Sequence, residues 1–182
     1  MARKQIPAPG KLICSIIYSS MDGLVDAVKV LENKFGRVEF ETMEIETSET
    51  KQYREEMGEN LIRRFISFEK TVNRNSLASL KNICNKIEPN FADQIGDFLF
   101  RTVNIDPCIL TPDNLVIATH RESNCNVYLG EGVYAEIQLI YSRNTFRRLP
   151  WTIPDYCNNE AIDFFGRVRK SMLSEEKAIE IL

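Results

Sequence analysis

Two segments of helical period, each set between apolar runs of strand character, constrain this chain more than any other feature in it. Leu24, Val28, Leu31 and Phe35 recur at spacings of four, three and four, which puts them on one helical face. Leu77, Leu80, Cys84 and Ile87 do the same at three, four and three. Before the first helix lies Leu12-Ile13-Cys14-Ser15-Ile16-Ile17-Tyr18, β-branched and apolar, the pattern of a strand covered on both faces. Strand-like runs at 37–45 and 61–68 follow the first helix, and one at 98–106 follows the second. Strand, helix, strand, strand, helix, strand is the split β-α-β order of ferredoxin-like sheets, antiparallel with both helices on one face. Asp22 offers a cap for the first helix and Gly36 a left-handed end to it. Asn73 or Asn75 opens the second, Pro89 ends it, and Pro107 stops the fourth strand. The polar, acidic stretch 47–60 reads as a long loop.

Beyond residue 107 the pattern changes. Thr111-Pro112-Asp113-Asn114 has a capping hydroxyl, a proline and an acid, the start of a short helix reaching to near His120. Gly130-Glu131-Gly132 marks a hairpin turn between two strands, and Ser142-Arg143-Asn144 a second. Across the longer of these strands Tyr134, Glu136 and Gln138 share one face, and Val133, Ala135, Ile137 and Leu139 the other. Pro150 and Pro154 exclude regular structure around Trp151, whose indole reads either as a plug for the core or as a stacking platform. Ala161, Phe165, Val168 and Met172 then share a face of a terminal helix opened by Asn158 or Asn159. The expected architecture is α+β and one domain over 1–182: a flexible leader at 1–10, a ferredoxin-like core at 11–107, and an added C-terminal hairpin and helix within 108–182.

Composition narrows the function. A chain of 182 residues, 43% of them hydrophobic, buries roughly 70% of its unfolded surface and needs no staple. The net charge of −3 argues against a nucleic-acid partner. Five cysteines without a Cys-x-x-Cys argue against a disulfide framework, and with one histidine they leave no zinc set of the usual kind. No apolar run approaches the ~20 residues that span a bilayer. A reduced, cytoplasmic location follows from these features. Neither Gly-x-x-x-x-Gly-Lys-Ser/Thr, nor Gly-x-Gly-x-x-Gly before a helix, nor Gly-x-Ser-x-Gly occurs.

Charges set among apolar residues are the remaining signal. Arg64 is in phase with Ile62, Ile66 and Phe68, and Arg63 with Leu61, Phe65 and Ser67, so one of the two guanidinium groups is desolvated. Arg101 lies likewise between Leu99 and Val103. Each such arginine requires either an internal carboxylate, such as Glu69 or Glu136, or a bound anion whose geometry suits the guanidinium fork. Asn104 and Asp106 share a strand face, and Asp106 with Glu136 could hold Mg²⁺ alongside substrate phosphates; alternatively Asp106 caps the Pro107 turn and Glu136 pairs an arginine. His120 is either a helix-terminal residue facing the dipole or a general base and substrate contact, with Tyr134 a further polar group on the neighbouring strand.

Several stretches together resemble one uncharacterised prokaryotic family, domain of unknown function 4416. They are residues 12–19, Glu56-Met57-Gly58 with 63–69, 103–107, 128–136 and 149–156, nearly the whole chain. The family pattern prefers glycine where this chain has Cys108. The resemblance implies no established activity. The residues themselves lead to the expectation of a small α+β protein that binds an anionic small molecule such as a nucleotide or sugar phosphate. Arg63, Arg64, Arg101, Asn104, Asp106, His120, Tyr134 and Glu136 are the candidate contacts. A structural or partner-binding module with internally satisfied charges, and a metal-dependent phosphohydrolase or transferase, are the alternatives.

Overall fold

The computed structural model describes residues 3–95 and 98–180. It contains a nine-stranded sheet, a separate two-stranded hairpin and four α-helices. The elements are β1 (Gly10–Tyr18), α1 (Met21–Phe35), β2 (Val38–Glu41), β3 (Ile45–Glu46), α2 (Thr50–Met57), β4 (Ile62–Val72), α3 (Leu77–Ile87), β5 (Ala92–Ile95), β6 (Phe98–Arg101), β7 (Val103–Leu110), β8 (Asn114–Thr119), β9 (Val127–Gly130), β10 (Val133–Ser142), β11 (Thr145–Arg148) and α4 (Asn159–Glu180). The main path runs β11-β10-β8-β7-β1-β4-β2, every pairing in the sheet antiparallel, with β3 on β4 and β9 on β10.

β1 is buried along its whole length because it lies at the centre of this path and is covered on both sides. Its even-numbered residues Leu12, Cys14 and Ile16 meet Leu24, Ala27 and Leu31 of α1 and Leu77, Leu80 and Cys84 of α3. Its odd-numbered Ile13 packs on the opposite face, with Phe65, Cys108 and Leu115, against Phe164, Phe165 and Val168 of α4. Farther along the same face, Ile17 meets Tyr53 and Met57 of α2. The expected pairing of two helices on one face therefore holds for α1 and α3, while α2 and α4 make a third layer. Among the described residues no helix is long and apolar enough to cross a membrane.

Several local expectations are corrected. Ser20, not Asp22, caps α1, its Oγ accepting from Gly23 N at 3.2 Å. The stretch 47–60 holds α2 rather than a loop. The run 98–106 breaks at Thr102, so that β6 pairs only with β5 and β7 joins the main sheet. The segment after Thr111 is not a helix: β7 turns directly into β8, with Thr111 N bonded to Asn114 O at 2.8 Å. The Thr111 Oγ1 accepts from Asp113 N and Asn114 N, the same hydroxyl chemistry that caps a helix, used here to close a hairpin. Leu139 does not share a face with Val133 and Ala135. A register shift between Ile137 and Leu139 inserts Gln138 as an extra residue and carries Leu139 to the α4 side. Trp151 does not plug the core; it is 43% exposed, its Nε1 donating to Ile137 O at 2.9 Å, and buried Tyr156 is the aromatic that packs inside. Pro107 does not stop its strand either. Residues 1–2 of the leader, 181–182 of the terminal segment, and the Leu99 side chain lie outside what is described.

Candidate functional site

The sheet has a split. Pairing between β7 and β8 ends at Cys108 and Ile117, although β7 continues on β1 as far as Val103 and β8 on β10 as far as Thr119. Backbone groups of β7 facing that gap need partners other than a strand. Ile105 N donates to Glu88 Oε1 at 2.8 Å, and Ile105 O accepts from Lys81 Nζ at 3.3 Å. Pro107, two residues on and therefore facing the same edge, has no N–H to leave unmet, which is why the strand passes through it. Lys81 from α3 and Glu88 just beyond it thus enter the sheet plane as buried charges.

Lys81 Nζ also donates to Asp106 Oδ1 at 2.6 Å, while Asn104 Nδ2 donates to Asp106 Oδ2 at 2.8 Å. Burial pushes the Asp106 carboxyl up, but Lys81, Arg63 and Asn104 overrule it and hold the group below the usual carboxylate range. Burial likewise opposes the charge on Lys81, yet Asp106 and Glu88 keep its ammonium above the usual range. Glu88 goes the other way. Burial raises its carboxyl despite Lys81, the Ile105 N–H and Arg101.

Arg63 is the fully buried guanidinium of the pair at 63–64. Its Nε donates to Asp155 Oδ2 at 2.8 Å, its Nη1 to Ser15 Oγ, and its Nη2 to Glu49 Oε2. The guanidinium carbon also lies 5.2 Å from the Tyr156 ring centroid and 5.8 Å from that of Phe65. Asp155 is completed by Thr47 Oγ1 at 2.6 Å and Ser48 N at 2.9 Å. Burial raises the Asp155 carboxyl, but Arg63 and these two donors bring it below the usual range, whereas Glu49 stays raised by burial in spite of Arg63. Arg64 points away from this group toward Glu41 and Glu44, at 3.2 and 3.8 Å. Arg101 is claimed by Glu56, by Glu88 at 2.5 Å and by Asn104 Oδ1 at 3.4 Å.

Two adjoining hollows open onto these groups. One of about 180 Å³ is lined by Lys81, Asn85, Glu88, Arg101, Asn104 and His120, among others. The other, of about 300 Å³, is lined by Glu49, Gln52, Glu122, Ser123, Asn126, Glu136 and Gln138, among others. Asp106, Thr119 and Arg121 belong to both. The Arg121 guanidinium lies 5.4 Å from the Tyr53 ring centroid and is in no ion pair among the described residues. The buried Asn85 Oδ1 has no hydrogen-bond partner. Larger hollows of about 490 and 770 Å³ lie elsewhere, but no charged side chain lining them is buried.

Of the expected contacts, Arg101, Asn104, Asp106 and His120 meet at the smaller hollow, and Asp106 and Glu136 at the larger. His120 follows a strand rather than a helix, and its Nδ1 donates to Gly132 O at 2.8 Å. Arg63 lies beneath the larger hollow, bound to the Glu49 that lines it, and not on its surface. Arg64 and Tyr134 line neither; Tyr134 packs on Tyr128 with centroids 5.2 Å apart. Both carboxylates expected for Mg²⁺ line the larger hollow, and both are engaged within the chain. Asp106 is occupied by Lys81 and Asn104, Glu136 accepts from Gln138, Ser123 and Cys125, and no group of three or more His, Cys, Asp or Glu side chains among the described residues could hold a metal ion. Arg121, Lys81, Glu49, Glu88 and Asp155 were not singled out by sequence. None interrupts an apolar strand row; the split brings Arg121, Lys81, Glu49 and Glu88 together, and Asp155 comes in through its bond with Arg63.

No curated protein and no solved structure matches the chain. The model of the domain of unknown function family DUF4416 matches residues 8–172, and the chain therefore belongs to that family.

Proposed function

We propose that the chain binds a small anionic molecule, of the nucleotide or sugar-phosphate kind, across the two hollows at the sheet split. The observation that carries this reading is Arg121, a cation in no ion pair among the described residues, at the position the two hollows share. The lining is unequal in charge. Lys81, Arg101 and Arg121 outnumber Glu88 and Asp106 in the smaller hollow, while Glu49, Asp106, Glu122 and Glu136 face Arg121 alone in the larger. A ligand that fits this division puts its anionic group in the first and hydroxyl or amino donors in the second. Arg121, rather than the internally paired Arg63 and Arg101, supplies the fork for the anion.

Thermal-shift titration with nucleotides and sugar phosphates tests it, on the native chain and on Arg121→Ala. A ligand at a hundred times its Kd stabilises by about 2.7 kcal/mol, and Arg121→Ala is expected to weaken it at least tenfold. Absence of any shift up to several millimolar, or equal binding by the variant, overturns the reading.

The internal pairing of Arg63 favours a second reading, a partner-binding module in which buried charges serve only the fold. It predicts no small-molecule shift at all. Two further inferences belong with these. The order β7-β1-β4-β2, fourth-first-third-second among the core strands, supports a ferredoxin-like core extended by β8, β10 and β11. Five unpaired cysteines support a reducing, cytoplasmic location.

A further inference from the structure

A further hollow lies on the face of the sheet that α1 and α3 cover, and its chemistry differs from that of the split. It measures about 480 Å³, within the range of sites that enclose small ligands, and lies between the start of α3 and the β7-β8-β10 region. Leu77, Ala78, Ile109, Val116, Leu129 and Ala135 give it apolar walls. Leu77 and Ile109 are buried, whereas Leu129 at the lip is 44% exposed. Arg74 is the one charged residue lining it, and no carboxylate joins it there. Among the described residues Arg74 makes no ion pair, and its Nε is buried without a hydrogen-bond partner. Of the other polar residues lining it, Thr111 and Asn114 bond each other, Thr111 Oγ1 to Asn114 Oδ1 at 3.0 Å.

A buried donor left unmet costs free energy that a bound acceptor would recover. Apolar walls ending at one unpaired guanidinium match a molecule with an apolar body and one anionic head. We propose that this hollow binds a free amphiphilic carboxylate, its chain of about ten carbons along Leu77, Ile109 and Leu129 and its carboxylate on Arg74. The site is separate from the split and does not depend on what binds there.

Calorimetric titration with decanoate, below its micelle concentration, tests the assignment against decanol and acetate. Saturable 1:1 binding of decanoate is expected, with at least tenfold weaker binding of decanol, which lacks the charge, and none of acetate, which lacks the chain. Arg74→Gln should reduce decanoate affinity at least tenfold, and Ala78→Phe should remove binding by filling the hollow without lowering Tm. Arg121→Ala should leave decanoate affinity unchanged, which separates this site from the split. Absence of saturable binding, or unchanged affinity in Arg74→Gln, overturns the proposal. So does co-sedimentation with anionic phospholipid vesicles in place of decanoate binding, which would make the hollow a membrane contact.

Discussion

A guanidinium group out of water is tolerable only while its partners remain, and Arg63 has three: Asp155, Glu49 and Ser15. Asp155→Ala removes one carboxylate, leaves the charge buried, and is expected to cost about 3–5 kcal/mol in urea unfolding. The double variant Arg63→Met with Asp155→Leu should recover most of that loss, because an apolar pair leaves no charge uncompensated. Loss of the same size in the double variant would mean that Asp155 matters chiefly through Thr47 and Ser48. The pH dependence separates the carboxylates. Asp106 and Asp155 are lowered on folding, so the stability they give is present above the ordinary aspartate range and lost as pH falls below it. Glu49 and Glu88 are raised, so folding favours their protonated forms, and their contribution declines as pH rises above the ordinary value of 4.5. Glu49→Gln should therefore flatten the fall in stability as pH rises above the ordinary glutamate value of 4.5, and Asp155→Asn the fall as pH drops below the ordinary aspartate value of 3.8. A Glu49→Gln curve parallel to the native one would show that Glu49 is not raised. That Arg63 or Arg64 must be desolvated was legible in the row of apolar neighbours. That its partner is Asp155 was not, since 92 positions separate them and nothing local to the short turn that begins at Pro154 marks it.

The elements were legible where period alone decided them and misread where one chemistry serves two structures. The spacings in α1 and α3 are long enough to be unambiguous, and the runs for β1 and β4 are too β-branched or aromatic for a helix. A Thr-x-Asp-Asn segment satisfies backbone N–H groups equally well in a cap and in a hairpin, so β8 gave no local sign that it was a strand. In α2 only Tyr53 and Met57 are buried, and two apolar positions do not establish a period. Pro107 is the instructive case, because a proline ends a strand only where its N–H would have been needed. The divergence of β8 from β7 is a tertiary fact. The split it makes is fastened from α3 by Lys81, which supplies a donor to Ile105 O and another to Asp106. Lys81→Met should cost about 3–5 kcal/mol by stranding the Asp106 carboxylate, while adding Asp106→Leu should restore most of it. Hydrogen exchange at the Ile105 amide reports the same fastening. Protection lost in Lys81→Met places the hold on α3, and protection retained places it on Glu88 alone.

Across the whole molecule, the sheet has two apolar faces that are covered by different parts of the chain. One belongs to α1 and α3, both from the first half, and the other depends on the last helix. Phe164, Phe165, Val168 and Met172 of α4 are each at most 3% exposed, and Phe165 contacts Phe65, Phe146 and Tyr156 at centroid distances of 5.2, 6.2 and 6.2 Å. Burying four such side chains contributes roughly 6–12 kcal/mol, comparable to the net stability of an average domain at roughly 5–15 kcal/mol. A chain ended after Cys157 keeps Asp155, and with it the charge partner of Arg63, but exposes Ile13, Phe65, Leu115 and Leu139. It should lose cooperative urea unfolding and bind an apolar dye, even though strands β1 to β11 are all present. If it instead unfolds cooperatively with a midpoint near that of the intact chain, the face under α4 contributes little. The stability of the sheet would then reside in the α1 and α3 layer and in the charges at the split.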